Sequence, residues 1–149
     1  MIKLADFSRE YNLLKDEIDK ELQSVLKSGA FIMGKQVGEL EKNLSDYLGC
    51  RAFTVASGTD ALLIALRAAS IGEGDEVITT PFTFVATAST ITFVGAKPVF
   101  VDIDEETLNL DPKLIEEKIT DKTKAILPVH LFGHSAEMDE IMKIAKKYN

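Results

Sequence analysis

The 149-residue chain has few of the residues that build covalent cross-links or metal centres. It contains a single cysteine, Cys50, and only two histidines, His130 and His134. One chain therefore cannot form a disulfide framework, and these residues do not supply a four-ligand zinc site. A chain of this length buries about two-thirds of the surface that its unfolded form exposes, so its core needs neither kind of support. A reducing cytosol is the expected setting.

The chain also lacks an excess of positive charge and any long apolar run. Its 17 Lys and Arg residues are outnumbered by 24 Asp and Glu residues, which gives a formal net charge of −7. This balance argues against nucleic acid or an anionic membrane surface as the main partner. No apolar run approaches the ~20 residues of a membrane span, and Lys3 and Asp6 bring charge too early for a signal peptide. A cytoplasmic location is expected.

Two amphipathic helices are predicted in the first third of the chain. Apolar residues recur at steps of three and four over residues 11–27 and again over residues 37–48, the spacing of one helix face. Gly29 and Gly49 follow these stretches directly and are typical of helix ends. We therefore assign residues 1–50 to an N-terminal helical segment.

Residues 51–149 show short apolar runs that alternate with helical segments, and we assign them to an α/β domain. Strands are predicted at residues 52–56, 76–80, 98–103 and 124–131. Helices are predicted at residues 61–69 and 84–93 and after Asp111 and Ser135, which are expected to be N-caps. Residues 84–93 also suit a strand, and the helix is chosen so that the alternation continues. Continuous apolar runs are typical of parallel strands covered on both faces, so the sequence predicts a doubly wound, mainly parallel sheet preceded by two helices.

The turn after the first predicted strand is a candidate phosphate site. Ligands gather at the carboxyl ends of parallel strands, and residues 57–60, with the sequence Ser-Gly-Thr-Asp, pass there into a helix. Free amides at a helix N-terminus, with a glycine that permits close approach, bind phosphate well. A plain strand-to-helix turn, with Thr59 or Asp60 as N-cap, is the alternative. Capping is the favoured role of Asp60, because a carboxylate beside a phosphate costs energy.

Three other strand ends carry weaker signals. Phe82 and Phe84 could stack on a planar ligand, although each taken alone is more typical of core packing. The consecutive acids in residues 102–106 cannot all converge on one ion and favour a turn, so no metal site is predicted. His130 has no Ser, Cys or acid partner at a recognisable spacing, which favours a structural role.

Taken together, several segments make the sequence resemble the DegT/DnrJ/StrS family. They occur in family order and read SGAFIMG at 28–34, TVASGTDAL at 54–62, TPFTFVAT at 80–87, AKPVFVDID at 96–104 and PVHLFG at 128–133. The family consists of pyridoxal-phosphate enzymes of the aspartate aminotransferase fold, most of which aminate keto sugars carried on a nucleotide. The resemblance implies that residues 51–149 are part of the large, pyridoxal-phosphate-binding domain of this type I fold.

The resemblance also implies roles for individual residues. The cofactor's phosphate would bind to backbone amides and a hydroxyl of a single turn, formed by Ser57, Gly58, Thr59 and Asp60. Phe84 would stack on the pyridine ring. Phe31 lies in a loop that in the family approaches the sugar side of the site.

The Lys that binds the cofactor covalently and the Asp that keeps its ring nitrogen protonated lie, in the family, downstream of the position of Asn149. We therefore expect no catalytic residue in this chain and no transamination by it alone. The favoured interpretation is the N-terminal portion of a homodimeric aminotransferase that uses an amino-acid donor and a nucleotide-linked keto sugar. The alternatives are a pyridoxal-phosphate-dependent sugar dehydratase of the same family and a non-catalytic α/β module for ligand binding or assembly.

Overall fold

The computed structural model describes residues 5–148. Lys3, which enters the signal-peptide prediction, therefore lies outside the described residues. The chain divides into two compact units, Met1–Thr54 and Val55–Asn149. This division falls inside the strand predicted at residues 52–56, and the domain assignment made from the sequence stays a prediction.

The first unit contains the two predicted helices, α1 (Phe7–Ser28) and α2 (Lys35–Leu48). Gly29 and Gly49 follow them with φ angles of 66° and 69°, a left-handed conformation that glycine adopts without steric cost. Both predicted helix ends are confirmed. Neither helix has a buried residue, so the apolar faces that define their amphipathic pattern are at most partly covered in the described part of the chain.

The second unit is an open parallel sheet with helices on both faces. Its elements in chain order are α3 (Gly58–Ala68), β1 (Glu76–Thr79), α4 (Ala86–Phe93), β2 (Lys97–Phe100), 3-10 helices at Pro112–Leu114 and Glu116–Lys118, β3 (Thr123–Ile126), a 3-10 helix at Leu131–Gly133, and α5 (Met138–Tyr148). The three strands run parallel in the order β2-β1-β3. Every residue of the central strand β1 is buried, as expected for a strand covered on both faces.

Adjacent residues of β1 belong to different cores, because successive side chains of a strand point to opposite faces. Val77 packs in a cluster that includes Leu66 of α3 and Ile91 of α4. Ile78 packs in a second cluster that includes Ile141 of α5. Helices therefore cover both faces of the sheet, and the predicted doubly wound α/β class is confirmed.

The strand predicted at residues 52–56 is wrong for the described structure, where these residues pair with no other strand. A strand forms only where a neighbouring backbone accepts its N–H groups. The Thr54 N–H donates instead to Glu41 Oε1 at 2.8 Å, and the Thr54 hydroxyl donates to the same oxygen. Phe53, an apolar residue of this run, is 72% exposed.

The last two predicted helices also differ from the structure. Asp111 does act as an N-cap and accepts the Lys113 N–H at 3.0 Å, but two short 3-10 helices follow it in place of an α-helix. Ser135 does not cap α5, because its hydroxyl donates to the Ala136 carbonyl and the helix begins only at Met138.

The amino end of β1 is fixed by a largely buried carboxylate. Glu76 is 8% exposed, and its oxygens accept hydrogen bonds from Lys97 Nζ at 2.9 Å and from Thr120 Oγ1 at 2.7 Å. The hydrogen bond from Lys97 and, after it, that from Thr120 hold the pKa of Glu76 below its usual value of 4.5. One side chain thus links the central strand to β2 and to the turn before β3.

Replacing Glu76 by Gln should make unfolding less dependent on acid. Because the pKa of Glu76 is lower in the folded state, its contribution to stability is complete above the unfolded-state pKa and is lost as pH falls through the folded-state pKa. We expect E76Q to be less stable than wild type at neutral pH and to lose less stability below about pH 4.5. Urea unfolding followed by circular dichroism between about pH 7 and about pH 3 measures both effects. E105Q, the same exchange at an exposed turn residue, is the control, and equal acid dependence in E76Q and wild type would contradict the prediction.

Candidate functional site

A cleft of about 420 Å³ lies at the carboxyl ends of β1 and β3 in the second unit. Three segments form its walls: the N-terminus of α3, the residues that lead from β1 into α4, and the residues that follow β3. The lining residues are Gly58, Thr59, Leu62, Thr83, Phe84, Ala86, Thr87, Val129, His130, Leu131 and Phe132. The structure thus brings together residues from three predicted strand ends, where open parallel sheets bind ligands.

The N-terminus of α3 is organised by Ser57. This residue has extended backbone angles, with φ −159° and ψ 164°, and its hydroxyl oxygen accepts the Asp60 N–H at 3.1 Å. The same hydroxyl donates to Asp60 Oδ2 at 2.8 Å. Ser57 is therefore the N-cap, and the assignment of Thr59 or Asp60 to that position is wrong, because the helix already begins at Gly58. Asp60, in the first turn of the helix, fixes the Ser57 side chain by accepting its hydroxyl hydrogen bond.

The amides of Gly58 and Thr59 are available to a ligand. They are the first two of the helix, and no hydrogen bond between residues 5–148 uses them. A Cβ atom at Gly58 would meet nothing within 4 Å, so the space beside it is open. Two free N–H groups at the positive end of an 11-residue helix favour an anion. The sequence resemblance implies that the Asp60 amide also binds the phosphate. In the structure this amide already donates a hydrogen bond to the Ser57 hydroxyl oxygen.

Phe84 has an exposed ring in the wall of the cleft that leads from β1 into α4. It is 72% exposed, so it is not a core residue. Its carbonyl accepts the Thr87 N–H at 3.0 Å, and the hydroxyls of Thr83 and Thr87 are hydrogen bonded at 2.9 Å. These two bonds fix the backbone on either side of Phe84 and leave its ring free to contact a ligand. Phe82, in contrast, does not line the cleft.

The residues after β3 form the third wall. Nδ1 of His130 accepts the Ala136 N–H at 3.0 Å, which places the proton of a neutral imidazole on Nε2. His130 therefore makes a hydrogen bond that supports the loop, as a structural role would require, and it also lines the cleft. Phe132 is 83% exposed and has a φ of 52°, uncommon for a residue with a side chain. Sequence reasoning missed Leu131 and Phe132. The signal that could have found them is their position at the carboxyl end of a predicted strand, which Leu131 ends and Phe132 follows.

The acidic run at residues 102–106 forms a turn, as predicted. Asp104 Oδ1 accepts the backbone N–H groups of Glu106 and Thr107, both at 3.0 Å. These hydrogen bonds hold the pKa of Asp104 below its usual value. Across residues 5–148, no three His, Cys, Asp or Glu side chains are grouped so that they could hold a metal ion.

Phe31 lies in the first unit, between α1 and α2. Its N–H donates to the Gly29 carbonyl at 3.1 Å and its side chain is 66% exposed. Its predicted approach to a sugar substrate stays a prediction. None of the helices described here is both long and apolar enough to cross a membrane.

A sequence model of the DegT/DnrJ/EryC1/StrS aminotransferase family matches residues 12–149. The chain belongs to this family. The resemblance predicted from the sequence is thereby confirmed, and the segments that carry it include all three walls of the cleft.

Individual proteins and solved structures match almost the whole chain. UDP-2-acetamido-2-deoxy-3-oxo-D-glucuronate aminotransferase from Pseudomonas aeruginosa is 50% identical over an alignment of 149 positions, which covers 99% of this chain and 42% of that protein. The crystal structure of S. venezuelae DesV in complex with a ketimine intermediate is 38% identical, with a TM-score of 0.92, over 99% of this chain and 40% of DesV. The structure of NtdA from Bacillus subtilis with bound cofactor PMP is 41% identical, with a TM-score of 0.86, over 92% of this chain and 32% of NtdA.

The chain thus spans about two-fifths of the length of the first two of these proteins. The similarity to DesV and NtdA confirms the aminotransferase-like α/β fold for the part of this chain that they match.

Proposed function

We propose that this chain is the cofactor-binding part of a pyridoxal-phosphate-dependent aminotransferase that transfers an amino group from an amino acid to a nucleotide-linked keto sugar. The observation that carries the proposal is the presence, in one cleft, of two free amides at Gly58 and Thr59 and an exposed ring at Phe84. Family membership supports it. The Pseudomonas relative is named as an aminotransferase for a UDP-linked oxo sugar acid, and NtdA was solved with PMP, pyridoxamine phosphate.

The residues of the cleft fit such a cofactor in charge and in shape. The amides of Gly58 and Thr59, together with the Thr59 hydroxyl, would bind its phosphate, because they are donors at the positive end of a helix. Ser57 and Asp60 would keep this turn in place through their two hydrogen bonds. Phe84 would support the face of the pyridine ring. When bound, pyridoxal phosphate carries the amino group between donor and acceptor and withdraws electrons from the carbon that loses a proton.

The residues of this chain would bind and orient the cofactor. No Lys, Asp or Glu is among the residues that line the cleft within the described part of the chain. Lys97, at the start of β2, is paired with Glu76 at the opposite end of the strands. The covalent Lys and the Asp partner of the ring nitrogen would come from the part of the family members that this chain does not span.

The proposal extends to a cytoplasmic homodimer. Exposed apolar side chains in both units support self-association, since they would otherwise remain in contact with water. They include Leu13 and Ile32 in the first unit and Phe132 in the second, all at least 79% exposed. Sedimentation over a range of concentrations tests this part, and a monomer throughout would contradict it.

Replacing Phe84 by Ala should weaken binding of pyridoxamine phosphate without destabilising the fold. We expect the wild-type chain to bind this compound and F84A to bind it about tenfold more weakly, because the ring loses its stacking partner. Equilibrium dialysis gives the affinities, and thermal unfolding should change little because Phe84 is mostly exposed.

The matched control is F93A, which removes a ring of similar exposure, 66%, from α4 outside the cleft. Its affinity should equal that of wild type. Borohydride treatment in the presence of pyridoxal phosphate should leave no cofactor attached inside the cleft, because no Lys lines it. Absence of binding by the wild-type chain, or equal losses in F84A and F93A, would contradict the proposed function.

A further inference from the structure

A buried side chain stabilises the wall of the cleft that follows β3. Asn109 is 1% exposed and does not line the cleft. Its Oδ1 accepts the Leu131 N–H at 3.0 Å, and its Nδ2 donates to the His134 carbonyl at 3.1 Å. Both ends of the carboxamide therefore bind the backbone of one short turn, which lies 22 and 25 residues further along the chain.

This turn has a backbone conformation that needs external support. The His134 N–H donates to the Leu131 carbonyl at 3.0 Å and closes it. Between these two residues, Phe132 and Gly133 have φ angles of 52° and 80°. A left-handed conformation at a residue with a bulky side chain is strained and persists where the surroundings enforce it. The two hydrogen bonds from Asn109 are the contacts that reach both ends of the turn.

The turn matters for the cleft because its residues are the third wall. Leu131 and Phe132 line the cleft, and His130 lies directly before the turn. The hydrogen bond from the Ala136 N–H to His130 Nδ1 also stabilises the segment after β3, but it joins residues on either side of the turn and involves none of residues 131–134. A change in the Leu131–His134 turn would therefore displace the Phe132 ring. The turn at residues 57–60, which Asn109 does not contact, would keep its geometry.

We propose that Asn109 is a positioning residue of the cleft, whose carboxamide fixes the Leu131–His134 turn and so determines where Phe132 lies beside a bound ring. The inference rests on the proposed function only for the identity of the ligand. It assigns Asn109 to the ring side of the site and not to the phosphate side. Loss of the carboxamide should thus affect a ligand with a ring more than free phosphate.

The first test measures the turn itself in the 149-residue chain. N109A removes both hydrogen bonds, and N109D keeps the acceptor for Leu131 but places an oxygen against the His134 carbonyl. N43D makes the same Asn-to-Asp exchange at an exposed position of α2 and is the control. Amide hydrogen exchange at Leu131 should be about tenfold or more faster in N109A than in wild type and unchanged in N43D. Unchanged exchange in N109A would overturn the inference. If circular dichroism shows that N109D does not fold, the test rests on amide exchange in N109A.

The second test separates positioning from general loss of stability. Affinities for pyridoxamine phosphate and for inorganic phosphate are measured at a temperature where the variants are folded. N109A should bind pyridoxamine phosphate about tenfold more weakly and inorganic phosphate within about twofold of wild type. Equal losses for both compounds, or no loss for either, would overturn the inference.

The two proposals fail in different ways. A wild-type chain that binds neither compound contradicts the proposed function, and the amide exchange at Leu131 then decides whether Asn109 holds the turn. A wild-type chain that binds both, with an N109A variant that binds them equally well, contradicts the role of Asn109 and leaves the proposed function intact.

Discussion

Replacing Gly58 by Asp should weaken binding of phosphate-containing ligands about a hundredfold and leave the fold as stable as before or more so. Gly58 is the first residue of α3, and the space that a side chain would enter is open. A carboxylate in the first turn of a helix interacts favourably with the helix dipole, by about 0.3–1 kcal/mol. The same carboxylate would stand a few ångströms from a bound phosphate dianion. A repulsion of about 3 kcal/mol corresponds to a loss of about a hundredfold in affinity.

G58N is the matched control, because Asn has the size of Asp without its charge. Its smaller loss of affinity measures the steric part of the effect, and the difference between the two variants measures the electrostatic part. Equilibrium dialysis with pyridoxamine phosphate and thermal unfolding on the same samples give both quantities. Equal affinities in G58D and G58N would show that the anion does not bind at the N-terminus of α3.

The capped turn at residues 57–60 could be predicted from the sequence because all its determinants are local. A helix pattern, a glycine at its start and the hydroxyl residue Ser57 lie within a few positions of one another. The structure changes only which residue caps the helix, and so which amides stay free. Ser57 takes the Asp60 amide, which leaves those of Gly58 and Thr59 for a ligand.

The strand at residues 52–56 could not be predicted in the same way, because a strand depends on a partner elsewhere in the chain. Its apolar run resembles that of β1, which is the central strand of the sheet. No property of the run shows that Thr54 donates its N–H to Glu41 instead of a neighbouring strand. Hydrophobic pattern alone therefore distinguishes a buried strand from an isolated extended segment poorly.

Asn109 was beyond sequence reasoning for a related cause. It follows an acidic turn, and its sequence context is that of an ordinary polar loop residue. Its two partners, at Leu131 and His134, become neighbours only when the loops after β2 and β3 meet behind the cleft. The sequence predicts ligand contacts at two strand ends, in residues 57–60 and at Phe84. It misses Phe132 and also Asn109, the buried residue that we propose positions Phe132.

Replacing Ile78 by Ala should have the largest effect on stability and a small effect on the cleft. The Ile78 side chain is 0% exposed at the centre of β1 and packs in the cluster with Val101, Leu110, Ile115 and Ile141. Truncation would leave a cavity that this rigid neighbourhood cannot fill, at a cost of about 3 kcal/mol. The thermal midpoint should fall by about 6–12 °C. The same exchange at Ile32, which is 89% exposed, should cost less than about 0.5 kcal/mol.

Ligand affinity in I78A should stay within about threefold of wild type below its unfolding temperature. The reason is that Ile78 supports the cleft through its backbone: its carbonyl accepts the Leu127 N–H at 2.8 Å, and an alanine keeps this bond. I78A would then lose stability and keep binding, whereas G58D would lose binding and keep stability. A variant I78A that loses stability and affinity together would instead mean that the Ile78 core sets the geometry of the strand ends, and that the cleft is not an independent local structure.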